Sequence, residues 1–141
     1  MMLPRRRAFM LTGAALVALP WTSARALPNE VQALIQALTE GAPLQPGGVK
    51  LELPLLVENG NAVGMTVTGP PGTRSLHVFA ERNPNPDVIA AHFGEAAAQP
   101  RLATRIRLAT SQTVVAVAAC ADGTFWTDSV DLIVTLAACL E

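Results

Sequence analysis

His77, His92, Cys120 and Cys139 are the side chains of this 141-residue chain best suited to metal binding or covalent chemistry. The two histidines flank the breaker cluster Asn83-Pro84-Asn85-Pro86. They make a weak metal pair and read better as surface or hydrogen-bonded histidines. A blue-copper centre needs His and Met close behind a Cys. Cys120 is followed by Ala-Asp-Gly-Thr-Phe-Trp and Cys139 by Leu140 and Glu141, so that pattern is absent. Two cysteines are too few for a four-thiolate zinc site or a disulfide framework. No nucleophile elbow, phosphate loop or HExxH-type motif is present, and the acidic residues are scattered along strand faces and turns. The expectation is a protein that is not an enzyme and has no metal and no cofactor.

The cysteines separate by position. Asp122-Gly123 reads as a hairpin turn in which Ala121 faces Thr124 and Cys120 faces Phe125. Cys139 then lies about fourteen strand residues away, roughly 45 Å, whereas a disulfide needs Cα atoms within about 7 Å. Cys120 sits in an apolar strand, as a small packed residue does. Cys139 follows the last apolar strand residue, where an exposed thiol is expected. In an oxidising compartment such a thiol suggests a use. The alternatives are an incidental terminal residue or one that joins two chains.

Charge patterning divides the chain. Residues 1–26 read as an export signal: Arg5-Arg6-Arg7, an apolar run from Ala8 to Leu19, then the small-residue site Ala24-Arg25-Ala26. That run of about twelve residues is too short to span a membrane, which takes roughly twenty. Arg6-Arg7-Ala8-Phe9-Met10 is similar to a twin-arginine signal, the alternative being a general secretory one. Periplasmic export follows, with no membrane attachment after cleavage. The whole chain has ten basic and eleven acidic residues and a charge of −1. Four of the basic residues lie in the signal, so the remainder carries −5. Nothing there offers the basic face that nucleic acids need. One row of positive charge stands out, Arg101, Arg105 and Arg107. It is either a solvated strand face or a docking surface for an acidic partner.

The elements that must position these residues follow from hydrophobic periodicity. Val31, Leu34, Ile35 and Leu38 predict one amphipathic helix, entered near Pro28-Asn29 and ended at Gly41. Beyond Pro46-Gly47-Gly48 the period becomes two. Val49, Leu51, Leu53 and Leu55 predict a half-buried strand, with Pro54 marking an edge or bulge. Asn59-Gly60-Asn61 predicts a hairpin. Val63, Met65 and Val67 line the next strand, and Leu76, Val78 and Ala80 the one after. Residues 88–93 are either strand or helical turn. Leu102, Ile106 and Leu108 form an inner row opposite the arginines. Val115 and Val117 mark an apolar strand ending near Cys120. Trp126, Val130, Leu132, Val134 and Leu136 are expected to face inward on the last strand. Six or seven strands with one N-terminal helix give an all-β, immunoglobulin-like antiparallel β-sandwich. The expected domains are 1–26 signal, 27–136 sandwich and 137–141 a C-terminal arm bearing Cys139.

Several stretches together resemble the SoxY family, the Y subunit of the sulfur-oxidation carrier. They are Leu55 through Val63, Asn83-Pro84-Asn85-Pro86, Thr104 through Ala109, Ser111 through Ala118, Asp122 through Phe125, and Val134-Thr135-Leu136 leading to a terminal cysteine. The resemblance implies an immunoglobulin-like sandwich paired with a SoxZ-like β-sandwich subunit. It implies a cysteine arm, Gly-Gly-Cys-Gly-Gly in the family, that carries sulfur intermediates covalently. It also implies a c-type cytochrome complex, a sulfate-releasing hydrolase and a sulfur dehydrogenase as partners. Cys139 is the counterpart of the carrier cysteine. The arm here is Ala137-Ala138-Cys139-Leu140-Glu141, without glycine's backbone freedom. Two functions follow from the resemblance: a periplasmic sulfur carrier of thiosulfate oxidation, or a binding or assembly subunit that has lost carrier chemistry. An unrelated ligand-binding sandwich is the remaining reading.

Overall fold

The computed structural model describes residues 29–136; the expected signal 1–26 and the arm 137–141 with Cys139 lie outside them. Helix α1 (Asn29–Thr39) forms where the 3.6-residue pattern predicts it, with Glu30 in its first turn favouring the helix dipole. Val31 and Ile35 are buried, and Leu34 and Leu38 pack beside them. The helix stops where two consecutive residues, Glu40 (φ 53°) and Gly41 (φ 84°), adopt left-handed backbone.

Nine strands follow: β1 (Leu44–Pro46), β2 (Lys50–Glu52), β3 (Leu56–Val57), β4 (Val63–Thr68), β5 (Thr73–Ala80), β6 (Asp87–His92), β7 (Arg101–Ile106), β8 (Gln112–Cys120) and β9 (Phe125–Val134). The larger sheet runs β1-β9-β8-β5-β6, with β3 also on β9; the smaller runs β2-β4-β7. The long strands pair antiparallel, while the short β1 and β3 lie parallel to β9. The expected all-β sandwich with one helix is therefore the fold, and of residues 88–93 all but Phe93 belong to strand β6.

Between the sheets lies the main core. Val63, Met65, Val67 and Ile106 of the smaller sheet meet Leu76, Val78, Val114, Ala116, Ala118 and Leu132 of the larger. The outer face of β5 and β8 is buried as well. Phe79, Val115 and Val117 lie under Val31 and Ile35 of α1. Each such fully buried aliphatic or aromatic side chain contributes about 1.5–3 kcal/mol. This third layer explains why β8 is apolar on both faces instead of alternating.

Four expectations are corrected. Asn59-Gly60-Asn61 does not close a hairpin: β3 pairs with β9 and β4 with β2 and β7, so the turn carries the chain between sheets. The strand expected over residues 49–55 is only Lys50–Glu52, because Pro54 has no N–H for a ladder. Leu55 and Leu136, expected inside, are 69% and 60% exposed, since both stand beyond the ends of their strands. The β8–β9 hairpin is offset by one residue: Ala119 faces Phe125, and the Cys120 N–H bonds to the Thr124 carbonyl at 2.9 Å. Gly123 (φ 84°) supplies the left-handed residue that a three-residue loop needs.

Candidate functional site

Residues 134–136, the last of the described residues and here called the arm root, are firmly held. On β9, the Val134 N–H donates to Ser111 Oγ at 2.9 Å. The Thr135 N–H donates to the Val57 carbonyl at 2.9 Å, and Thr135 Oγ1 donates to the carbonyls of Val57 and Glu58, both at 3.3 Å. The Leu136 carbonyl accepts from the Gly60 N–H at 2.9 Å, and the Gly60 carbonyl accepts from the Leu108 N–H at 2.8 Å. Two stretches that carry the family resemblance, around residues 55–63 and 104–109, thus meet beside Leu136. Cys139 itself lies outside the described residues.

Arg101, Arg105 and Arg107 are all exposed along and just beyond β7, while Ile106 and Leu108 are buried. The alternation that separated these rows in the sequence is the alternation of the strand. Ion pairs among the described residues join Lys50 to Glu52, Arg74 to Glu95 and Arg82 to Glu81; none of the three arginines takes part. Asn83 fixes the segment beyond β7. Its Nδ2 donates to the Arg107 carbonyl at 2.8 Å, and its Oδ1 accepts from the Ala109 N–H at 2.9 Å and from Gln112 Nε2 at 3.1 Å. Gln112, buried, also accepts from the Arg82 N–H at 2.9 Å and donates to the Thr110 carbonyl at 3.0 Å. Arg105 and Arg107 line an open cleft of about 390 Å³ between β6 and β7, with Asn83, Asn85 and Asp87 on its other side.

The remaining chemical candidates lie elsewhere. Cys120, half-buried, has its Sγ 3.9 Å from Thr73 Oγ1 at the turn end of β8. The arm root is at the opposite end of that hairpin, about 26 Å along β8. His77 and His92 come together on β5 and β6, ring centroids 5.9 Å apart and edge to face. His77 Nε2 lies 2.9 Å from Ser75 Oγ. Burial holds the His77 pKa below its usual 6.5, the charge of His92 adds to this, and Asp87 opposes it. Among the described residues no group of three or more His, Cys, Asp or Glu gathers as a metal site would require.

Sequence reasoning missed two features of the arm root. Gly60 was legible as a turn residue but not as the link between Leu136 and Leu108, which depends on tertiary contacts. Leu56 and Ile133 are register partners on β3 and β9, each 60% exposed. With Leu55 and Leu136 they are the large apolar side chains exposed among the described residues, all beside the root.

The profile of a family described as "Sulfur oxidation protein SoxY" matches residues 35–139. No curated protein matches in sequence. Among solved structures, the sulfur carrier protein SoxY from Chlorobium limicola f thiosulfatophilum is similar, at 25% identity and TM-score 0.65, over 75% of this chain and 96% of that one. A superoxide reductase (neelaredoxin) from Ignicoccus hospitalis is similar at 21% identity and TM-score 0.53, over 62% and 80%. A superoxide reductase described as putative, from Thermotoga maritima, gives 21% and 0.51, over 64% and 93%. The last two share the sandwich fold alone.

Proposed function

The chain belongs to the SoxY family, and we propose that it is a sulfur carrier of thiosulfate oxidation that holds sulfur intermediates covalently on Cys139. The observation that carries this reading is the extent of the family match, which runs through the whole sandwich and ends on Cys139. The similar Chlorobium structure is itself described as a sulfur carrier protein. Chemically the arrangement suits a carrier. Cys139 follows Leu136 by three positions in the sequence, and a thiol so close behind a firmly held segment suits presentation to several enzymes in turn, while the sandwich supplies the surfaces they recognise.

Family membership implies interaction with SoxZ and with the sulfur-oxidation machinery. In our reading a SoxZ-like β-sandwich subunit is the standing partner. A c-type cytochrome complex loads Cys139, a hydrolase releases sulfate, and a sulfur dehydrogenase oxidises what remains. The protein performs no catalysis of its own. Residues 1–26 export it to the periplasm by the twin-arginine route. The exposed arginines of β7, unpaired among the described residues in a chain that is otherwise acidic, are the surface for acidic partners.

The second reading is a SoxY-like binding or assembly subunit without carrier chemistry. It is favoured by one observation, that none of the four residues around Cys139 (Ala137, Ala138, Leu140, Glu141) is glycine. Growth on thiosulfate separates the two. In a strain lacking this gene, a Cys139→Ala copy fails to restore growth if the protein carries sulfur. Restored growth with that copy contradicts the carrier reading and supports the assembly role.

A further inference from the structure

β7 is the last strand of the smaller sheet, and among the described residues it pairs only with β4. Its hydrogen bonds fix which backbone groups stand at the open edge. Along an antiparallel strand, successive residues point their N–H and C=O alternately to one side and the other. The Pro100 carbonyl accepts from the Gly69 N–H at 2.8 Å, and the Leu108 N–H donates to the Gly60 carbonyl at 2.8 Å. The even-numbered residues therefore face the β4 side and the odd-numbered ones face away. Asn83 reaches this outer side at one end only, taking the Arg107 carbonyl at 2.8 Å and the Ala109 N–H at 2.9 Å. The N–H and C=O of Ala103 and Arg105, with the carbonyl of Arg101, are left along an edge that no described strand covers. The side chains of the odd residues are exposed in one row, Arg101, Ala103, Arg105 and Arg107. No ion pair among the described residues engages the three arginines.

We propose that the β7 edge accepts an extended acidic segment of a partner protein as a fourth strand of the smaller sheet. The inference rests on the reading of the arginines as a surface for acidic partners, and adds to it the binding mode and the pattern recognised. An added strand satisfies the edge backbone by main-chain hydrogen bonds, and its alternate side chains give specificity. On its outer face its residues lie directly beside Arg101, Ala103 and Arg105. Carboxylates four positions apart, about 13 Å along the strand, thus meet two guanidiniums. Its other face turns to the cleft between β6 and β7, where Val88 and Ile89 are half-buried and Ile106 is buried. Apolar residues fit there, and Asp87 on the far side of that cleft repels acidic ones. The pattern is therefore acidic and apolar by turns. Glu52, on the same sheet face, does not compete, since it stands two strands away and pairs with Lys50 at 3.1 Å. A second copy of this chain is disfavoured as the occupant. Two β7 strands paired antiparallel about Ala103 would set Arg101 of each against Arg105 of the other, like charges directly opposite.

The probe is the end-blocked peptide Glu-Val-Glu-Val-Thr-Val-Glu. Bound antiparallel, it sets its last glutamate beside Arg101, its threonine beside Ala103 and its other glutamates beside Arg105 and Arg107. Calorimetric titration of the purified protein at about 10 mM ionic strength reads the affinity. Arg101→Gln and Arg105→Gln should each weaken binding about threefold to fivefold, as loss of one exposed ion pair does. Arg74→Gln, which removes the partner of Glu95, should leave it unchanged. N-methylation of the third and fifth residues of the peptide, whose amides face β7, should abolish binding. N-methylation of the fourth and sixth, whose amides face away, should preserve it. Ala103→Pro removes an edge N–H but none of the bonds to β4, and should also abolish binding while the circular dichroism stays native. If both methylated peptides bind as the parent does and the arginine variants weaken all three, strand addition is overturned and the acidic-partner surface stands. If no arginine variant changes binding, or the parent peptide does not bind, both readings fall. A dimer of the protein in sedimentation that Ala103→Pro dissociates would give the edge to a second copy and overturn the proposal.

Discussion

Asn83 Nδ2 donates to the carbonyl of Arg107 across 2.8 Å, linking the β5–β6 loop to the segment that follows β7. Asn83 and Arg107, 24 positions apart in the chain, are thereby parts of one structural unit, with Gln112 as its buried third member. The unit fixes the backbone at Arg107, while the β4–β7 ladder places Arg101 and Arg105.

Asn83→Ala removes the donor to Arg107 and the acceptor for Ala109 and Gln112. A lost hydrogen bond costs about 1 kcal/mol and a stranded buried amide more. The variant should be destabilised by about 2 kcal/mol in urea unfolding, with the slope unchanged. Asn83→Asp keeps the acceptor and loses the donor, so it should cost more than a conservative change normally does.

Much of this fold was legible because it depends on period. The spacing of Val31, Leu34, Ile35 and Leu38 fixes a helical face, and the alternation of Leu102 and Ile106 against Arg101 and Arg105 fixes a strand face. What was not legible depends on pairing at long range. Asn59-Gly60-Asn61 carries the local chemistry of a tight turn, shown by the Asn61 N–H bonded to Asn59 Oδ1 at 3.0 Å. Local chemistry does not say which sheet the next strand joins. Leu55 and Leu136 fit an inward row by parity, but parity ceases to apply beyond a strand's end. Of the candidate site, the exposure of the arginine row was readable from strand alternation. The closeness of Arg107 to the arm root was not, because it runs through the backbone of Gly60.

Gly48 has φ +73°, and a Cβ built there lies 2.6 Å from Cδ2 of Trp126. Gly48→Ala should therefore destabilise the protein by more than about 1 kcal/mol, from backbone strain and the ring contact together. Gly47, also at positive φ (84°), has open space around its Cβ position, so Gly47→Ala should cost less. Thermal unfolding followed by Trp fluorescence gives both values.

Leu76 is fully buried between the sheets, whereas Leu136 is 60% exposed. Leu76→Ala should cost about 2–5 kcal/mol and Leu136→Ala less than about 0.5 kcal/mol. Equal costs in chemical denaturation would contradict the placement of Leu136 outside the core.

The His77 imidazole is held below 6.5 by burial first and by His92 second, with Asp87 opposing. The unfolded chain therefore takes up a proton more readily than the folded one. Stability from this group is present above about pH 6.5 and is lost as pH falls toward the lowered folded pKa. Unfolding free energies measured between about pH 7 and pH 5 should fall more steeply in the parent than in His77→Asn. His92→Asn should flatten the slope only in part.

The central claim is covalent carriage at Cys139. Its most direct test is the intact mass of the purified protein after incubation with its partner subunit, the cytochrome complex and thiosulfate, followed by peptide mapping. The account predicts a thiosulfate-derived adduct on the peptide containing Cys139, absent from Cys139→Ser and retained in Cys120→Ala. No adduct on the unaltered protein, or an adduct that persists in Cys139→Ser, would contradict it.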